Sequence, residues 1–586
     1  MRKTKIVCTL GPATNNPETL GKMVEAGMDV ARINFSHGVY EEHEKTIELF
    51  KSVTKKIGRP VALLLDTKGP EIRVSTFQDG YVDLVEGEEV VFTARDIEST
   101  AKEIAISYKG LPNDVVPGDR ILIDDGLICC RVLRTTKEDI TCVIENGGRV
   151  SNRKSINVPD VSIKMPYISP KDEEDLKFGI AHDVDFVAAS FTRTASDLLE
   201  VRKILDDNGG NQIRIIAKIE NREGVDNIDE IISVSDGIMV ARGDMGVEIP
   251  LEELPSIQKM LIKKCFMAGK VAITATQLLD SMIRNPRPTR AETTDVANAV
   301  YDGTSALMLS GETAIGKYPV EAVETMSKIA LRTENAIDYK KRFSNNVFTF
   351  TSNTADAICH ATCTTAHDLG ASAIIAVTKS GQTARMLSRF RPKCPIIATV
   401  ISEKTRRQLA LSWGVMPCPC QEKKTTDDLF QHVVEIALKT KLVTIGDLVV
   451  IAAGIPVGLS GNTNVLKVHL VGNVLVQGTG MNKKYLSGNL CVAKTAEEAR
   501  KKFEPGEILV MPKTTNDVMD LLKKAAGIIV EEEGTSCHAA IVGAAFDIPV
   551  IVGAKNATKL LKTGTTITMD SSRGLVVSGV VNPEKK

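Results

Sequence analysis

Three apolar runs in the middle of the chain each end in polar residues that could do chemistry. Ile213 to Ala217 leads into Lys218, Glu220 and Asn221, Gly237 to Ala241 into Arg242, Gly243 and Asp244, and Val271 to Ala275 into Thr276 and Gln277. Runs this apolar suit strands buried on both faces, as in a parallel sheet. Parallel strands with reactive groups at their C-terminal ends point to a β/α barrel, where all such ends meet at one mouth. One site would then hold an amine, two carboxylates and a hydroxyl. Glu220 and Asp244, with room for water and substrate oxygens, suit a hard divalent cation such as Mg2+; as ion-pair partners of Lys218 or Arg242 they are explained equally well. Lys218 supplies a point positive charge of the kind phosphoryl transfer needs. Thr276 could position a water for proton transfer or simply end its strand.

A second group lies nearer the N-terminus. Arg32 precedes Asn34 on one strand candidate, and Asp66, Lys68 and Arg73 follow another. Such cations can hold a phosphate from several sides or form a surface salt-bridge cluster. Asn34, Ser36, Asp66 and Thr67 offer oxygens for a cation, although residues of these types also form turns.

Eight strand candidates could position these groups: Lys5 to Thr9, Val30 to Asn34, Val61 to Leu65, Val184 to Ala189, the three runs above, and Ala306 to Leu309. Helical patterns lie between them. Glu41 to Ile57 has Ile47, Phe50 and Val53 on one face, and Ser169 caps a helix opened by Pro170. Eight such units close a barrel. From Val74 to about Asp160 short β-type runs and turn pairs such as Asp79-Gly80 and Pro117-Gly118 predict an all-β insertion that leaves and re-enters at the mouth, a natural lid. Past about Asn335 a fresh α/β pattern begins, with strand candidates Ala373 to Val377, Ile396 to Thr399 and Leu448 to Ala452. The glycine-rich stretch Gln477 to Asn489 suggests a linker or turn before a last unit of roughly 100 residues.

Composition narrows the class. At 586 residues the chain exceeds one hydrophobic core. Lys+Arg of 73 against Asp+Glu of 74 gives no net field toward nucleic acid or an anionic membrane. No run is long enough to span a bilayer, and the start lacks the apolar stretch of a signal peptide, so a cytoplasmic protein is expected. The 12 cysteines contain no Cys-x-x-Cys pair, which fits reduced thiols.

The segments Ala31 to Gly38 (ARINFSHG), Leu65 to Arg73 (LDTKGPEIR), Lys218 to Asn221 (KIEN), Ala241 to Pro250 (ARGDMGVEIP), Ala275 to Gln277 and Leu309 to Ala314 (LSGETA) resemble, in order and spacing, the pyruvate kinase family over about Lys3 to Gly472. The resemblance implies a (β/α)8 TIM barrel over 1–69 and 164–338, an inserted β lid domain over 70–163, an α/β effector domain over 339–474 and an extra C-terminal domain over 475–586. It implies that Lys218 stabilises the phosphoryl group passing from phosphoenolpyruvate to ADP, giving pyruvate and ATP. Glu220 and Asp244 would hold Mg2+, and Thr276 would serve the proton reaching the enolate. Backbone amides of Arg242, Gly243 and Asp244 would bind the substrate carboxylate, with Ser190 and Phe191 close by. Arg32, Arg73, His37 and Lys154 would meet phosphates or nucleotide beside Asn34, Phe35 and Ser36. Asn34, Ser36, Asp66 and Thr67 would bind K+, and Glu71 stands where relatives independent of potassium carry lysine. A homotetramer is implied as well. Met245 and Ser305 stand where the family usually has leucine and aspartate.

Thr378-Lys379-Ser380-Gly381-Gln382-Thr383 follows a strand and could open a helix, forming a phosphate cradle or merely a capped helix start. The family resemblance makes it the site of a phosphorylated effector, helped by a second loop over Gly454 to Asn464. Glu533 to Ile541, Ile548 to Gly553 and Thr568 to Asp570 resemble the phosphohistidine domain of phosphoenolpyruvate-utilising enzymes, with His538 at the acceptor position. Glu533 and Cys537 depart from that pattern, and extra negative charge beside a phosphate acceptor is unfavourable. A packing or assembly role is therefore expected for this domain rather than phosphate relay.

Overall fold

The computed structural model describes residues 1–345, 353–423, 425–455, 463–472 and 474–579. Eight parallel strands close a barrel: β1 (Lys5–Thr9), β2 (Val30–Asn34), β3 (Ala62–Asp66), β4 (Phe186–Ala189), β5 (Arg214–Ile219), β6 (Gly237–Ala241), β7 (Val271–Ala275) and β8 (Ala306–Leu309). Neighbours in sequence are neighbours in the barrel, and the ring closes where Lys5 pairs with Ala306.

Period-2 alternation with burial on both faces explains why these runs are mostly apolar, with exceptions such as Arg32, Asp66 and Lys218. Val7, Leu64, Ile216 and Met239 belong to the cluster inside the barrel, whereas Ile6, Cys8, Leu63, Leu65 and Ile238 belong to the layer beneath the helices. The helices are set by local signals. Ser169 Oγ accepts from the Asp172 amide while the Asp172 carboxylate accepts from the Ser169 amide, so the helix Pro170–Ala181 begins with both end donors satisfied. The helix Tyr40–Ile57 buries Ile47, Phe50 and Val53, the face its periodicity predicts.

Between β3 and the helix Pro170–Ala181 lies the β insertion. Its seven-stranded sheet runs Ile72–Arg73, Ser155–Asn157, Arg120–Ile123, Ile128–Thr135, Asp139–Asn146, Glu89–Thr93 and Glu103–Ala105 in spatial order. It has its own core, with Phe92, Ile104, Ile121 and Ile140 fully buried. The strands expected in the next segment are present as Ala373–Val377, Ile396–Val400 and Leu448–Ala453.

Two compact units divide the chain: 1–367 with 376–426 and 452–465, and 368–375 with 427–451 and 466–586. The second unit contains an eight-stranded sheet and the helix His538–Phe546. Here one expectation is corrected. The stretch over 477–489 is not a linker; Val474–Gln477, Thr479–Gly480 and Tyr485–Val492 are strands of that sheet. Its glycines serve close approach, because a Cβ on Gly478 would lie 2.4 Å from Val552 O and one on Gly480 1.6 Å from Ser571 O.

None of the 12 cysteines is in a disulfide among the described residues. Among the described residues no helix is long and apolar enough to cross a membrane.

Candidate active site at the barrel mouth

Lys218 is the penultimate residue of β5, and only 9 % of its surface is exposed. Its Nζ lies 3.1 Å from Asp66 Oδ1, 2.7 Å from Ser190 Oγ and 3.0 Å from Glu220 Oε1. Burial alone would lower its pKa, but the Asp66 and Glu220 carboxylates outweigh it and hold the amine charged, above its ordinary value.

Asp66, fully buried at the end of β3, is shared between two cations. Arg32 Nε donates to its Oδ2 at 2.6 Å on the side away from Lys218. Burial works against the charge, and the two cations hold the carboxyl below its usual range. Thr9, at the end of β1, accepts from Arg32 Nη1 at 2.9 Å and fixes the guanidinium further. Ser190 Oγ lies 3.1 Å from Asp66 and 2.7 Å from Thr67 O, and its amide donates to Thr67 Oγ1 at 3.2 Å. This contact needs Gly69, whose φ is +71° and whose Cβ would stand 2.8 Å from Ser190 O.

Glu220 is 1 % exposed and accepts from the Phe191 amide at 2.6 Å. Burial pushes its carboxyl up to about 7; Lys218 pulls it down, and Asp244 pushes it up again. Lys218 and Glu220 are thus both raised, which is consistent because Lys218 is divided between two carboxylates while Glu220 also faces Asp244. The Asp244 carboxylate accepts no hydrogen bond among the described residues. Two carboxylates that repel each other over a buried amine are a donor set that a divalent cation would relieve. Among the described residues no group of three acidic, His or Cys side chains is gathered for a metal, so Mg2+ here would need substrate or water oxygens as well.

Thr276 Oγ1 accepts from the Gly243 amide at 2.7 Å and donates to Ala275 O at 2.6 Å. A carboxylate binding the amides of residues 242–244 would exchange with that first bond. The Arg242 side chain is turned away into a bond with Asp295, 2.7 Å, and with Thr276 O, 2.8 Å, so its backbone rather than its guanidinium is offered to a ligand. Thr276 and Gln277 have φ of +68° and +54°, and Phe191, after β4, has +52°. A β-branched residue in this region is strained, and strain gathered at one mouth is characteristic of a functional site. Residues 242–244, Thr276 and Gln277 line one cavity of about 1120 Å3. Asp244 also lines a neighbouring cleft of about 420 Å3, faced from the insertion by Asn157 and Asp160.

Asn34 and Asp66 are register partners on β2 and β3. Asn34 Oδ1 accepts from the Ser36 amide at 3.2 Å, and the Phe35 amide donates to Asp66 O at 3.0 Å. The expected K+ oxygens therefore share one corner of the mouth. Arg73 pairs with Glu71 at 2.6 Å, and Lys154 with Asp124 at 2.6 Å. Phe35 stacks on His43, with ring centroids 4.2 Å apart, and the His37 amide reaches Asn34 O at 3.5 Å.

Several contributors carry no local sequence signal. Thr9 and Asp295 hold Arg32 and Arg242, and Asp172 accepts the Gly69 amide at 3.0 Å. Buried Glu312 accepts from the amides of Leu279, 3.1 Å, and Ser310, 2.7 Å, tying the loops after β7 and β8 together.

In the loop Thr378 to Thr383 Gly381 has φ +81°, and its amide donates to Thr378 Oγ1 at 3.0 Å. The helix Gln382–Arg389 follows, Arg385 Nη2 donates to Ser380 O at 2.8 Å, and Thr383 Oγ1 meets Thr463 Oγ1 at 2.7 Å. Lys379 and Gln382 complete the loop. The second loop lies largely outside the described residues. Its flanks are joined by Asn464, which bonds Ile455 through both its Oδ1 and its Nδ2.

In the second unit, His538 Nδ1 lies 3.0 Å from Thr514 Oγ1 and Nε2 lies 3.1 Å from Asn516 Oδ1.

Three family models match the chain: "Pyruvate kinase, barrel domain" over residues 1–323, "Pyruvate kinase, alpha/beta domain" over 356–469 and "PEP-utilising enzyme, mobile domain" over 503–574. Among curated relatives, the pyruvate kinase of Geobacillus stearothermophilus is 51 % identical over 580 residues, covering 99 % of both chains. Those of Bacillus licheniformis and Sporosarcina psychrophila are each 49 % identical, again over 99 % of both chains.

Proposed function

The chain belongs to the pyruvate kinase family, and we propose that its barrel mouth passes the phosphoryl group of phosphoenolpyruvate directly to ADP, with Mg2+ on Glu220 and Asp244 and K+ among Asn34, Ser36, Asp66 and Thr67. Membership makes it a phosphotransferase of glycolysis. The observation that carries the finer reading is the buried Lys218 ammonium, held charged between Asp66 and Glu220 and beside Ser190.

Phosphoryl transfer asks the protein for position and charge more than for covalent chemistry. Lys218 and Arg32 are fixed on either side of Asp66, so they meet an incoming phosphoryl group already oriented. Both lie in a largely water-free corner, where a fixed cation stabilises developing charge more than it would in water. The amides of residues 242–244 at a helix start are donors for the substrate carboxylate. Thr276 Oγ1, bonded to one of those amides, would lie beside the enolate that remains and order the water that protonates it. Mg2+, when bound, would screen the phosphate oxygens and relieve the repulsion between its two carboxylates. Arg73, His37 and Lys154 would take the nucleotide phosphates, with Arg73 and Lys154 exchanging their present partners Glu71 and Asp124.

The same reading assigns a phosphorylated effector to Thr378–Thr383, a homotetramer, a cytoplasmic location and the four-domain division at 69/70, 163/164, 338/339 and 474/475. A coupled assay for pyruvate, run with ADP and separately with AMP plus pyrophosphate, tests the reaction. Pyruvate with ADP alone supports it, whereas activity requiring AMP and pyrophosphate overturns it.

A further inference from the structure

At the opposite end of the barrel from the mouth, just before β8, lies a small cavity lined by Ser305, Arg385, Ser388, Arg389, Arg391 and Trp413 among others. Its free volume for a water-sized sphere is about 10 Å3, room for one small species. Lys270 also lines it, and none of the lining residues is an aspartate or glutamate.

Two of these cations already have partners. Arg389 pairs with Asp356 at 2.8 Å, and Lys270 spends its ammonium on the carbonyls of Ile232, Ser233 and Ser235. Arg391 does not meet a carboxylate among the described residues. It is 4 % exposed and sits at a φ of +49°, with its guanidinium 4.7 Å from the Trp413 ring. Its Nη2 donates to Gly303 O at 3.0 Å and to Ser305 Oγ at 2.9 Å, while its Nε is buried without a hydrogen-bond partner. Ser305 Oγ accepts a second bond from the Ala272 amide at 3.2 Å, so both bonds to this hydroxyl are accepted and its proton remains to be donated. A buried cation, an orphaned N–H and an unspent hydroxyl proton around one small space form a donor set with no acceptor. Burial together with Arg342 pushes the Arg391 guanidinium down to about 9, and burial together with Arg214 does the same to Arg385, as expected for positive charge lacking a counterion.

We propose that this cavity is a binding site for a small inorganic anion of chloride size, held by Arg391 Nε and the Ser305 hydroxyl. The anion would neutralise a positive cluster at the stability face of the barrel, away from the catalytic mouth.

The test compares thermal unfolding of the full chain, and of Ser305→Asp, in potassium chloride and in potassium methanesulfonate at equal ionic strength. Aspartate at 305 places a carboxylate beside Arg391 and makes the anion unnecessary. For the unsubstituted protein chloride should give a saturable rise in Tm of about 2–4 °C, and Ser305→Asp should lose that rise while keeping kcat. Should the variant fold poorly, bromide-soaked crystals of the unsubstituted protein give a second reading: an anomalous peak beside Arg391 Nε and Ser305 Oγ supports the site. Equal chloride responses in both proteins, or a cavity that holds only water in bromide, would overturn it.

Discussion

Lys218 and Asp66, 152 residues apart in sequence, meet at 3.1 Å with Arg32 on the far side of the same carboxylate. One buried acid therefore orients two cations toward the space where a phosphoryl group would sit. Removing one partner of such a buried set costs more than its net contribution, because the remaining charges are left uncompensated.

Lys218→Ala should remain folded and lose turnover by at least on the order of 10²–10³, because the missing charge acts mainly in the transition state. Circular dichroism checks the fold and a steady-state assay the rate. Turnover close to that of the unsubstituted protein would sink the assignment of Lys218.

Mg2+ dependence should sharpen with acid. The Glu220 carboxyl is pushed up from 4.5 to about 7, so between those values the folded, metal-free protein binds a proton that the unfolded chain has released. Its metal-free stability contribution is therefore present at low pH and lost as pH rises through this window. Metal binding needs the ionised form, so the Mg2+ concentration for half-maximal activity should rise as pH falls below about 7, approaching about tenfold per pH unit. A Mg2+ requirement flat from pH 5.5 to 7.5 would argue against Glu220 as a ligand.

Potassium should be required. Glu71 is paired with Arg73, so the requirement rests on the oxygens of Asn34, Ser36, Asp66 and Thr67 and on whether ligands draw Arg73 away from Glu71. Rates measured in potassium and in a bulky organic cation at matched ionic strength should differ by about 10²-fold or more, the low end expected for losing one fixed electrostatic contact. Equal rates would count against the site.

Effector control should act through the loop Thr378–Thr383. A sugar phosphate or nucleoside monophosphate should lower the half-saturating phosphoenolpyruvate concentration by about 5-fold or more. Ser380→Ala with Thr383→Ala should abolish the shift. A response unchanged by both substitutions would place the effector elsewhere.

His538 should be dispensable for turnover. Thr514 and Asn516 occupy both ring nitrogens, so the imidazole ties the start of the helix His538–Phe546 to the segment after the strand Ile508–Met511. His538→Ala should cost stability, about 1 kcal/mol for the lost bonds, and leave kcat unchanged. Stoichiometric phosphohistidine after incubation with phosphoenolpyruvate and Mg2+ would reverse this conclusion.

The barrel was legible because a strand buried on both faces must be largely apolar, and β1 to β8 are, with polar and charged residues such as Lys5, Arg32, Asp66 and Lys218 the exceptions. The insertion was legible from its turn pairs. What stayed hidden were partners whose meaning depends on distant chain: Thr9 behind Arg32, Asp295 behind Arg242, and Glu312 bridging two loops. Glu312 stood inside a quoted motif without a role, because its two acceptor bonds exist only once β7 and β8 are neighbours. Gly478 and Gly480 read as part of a linker or turn, yet the carbonyls they approach, those of Val552 and Ser571, lie far along the chain, beyond any local pattern.

Direct transfer is the central claim, and the stereochemistry at phosphorus tests it. With phosphoenolpyruvate carrying an isotopically chiral phosphoryl group, one in-line displacement at the barrel mouth inverts configuration, whereas relay through His538 takes two displacements and retains it. The account predicts inversion in the γ-phosphoryl group of ATP, and retention would contradict it.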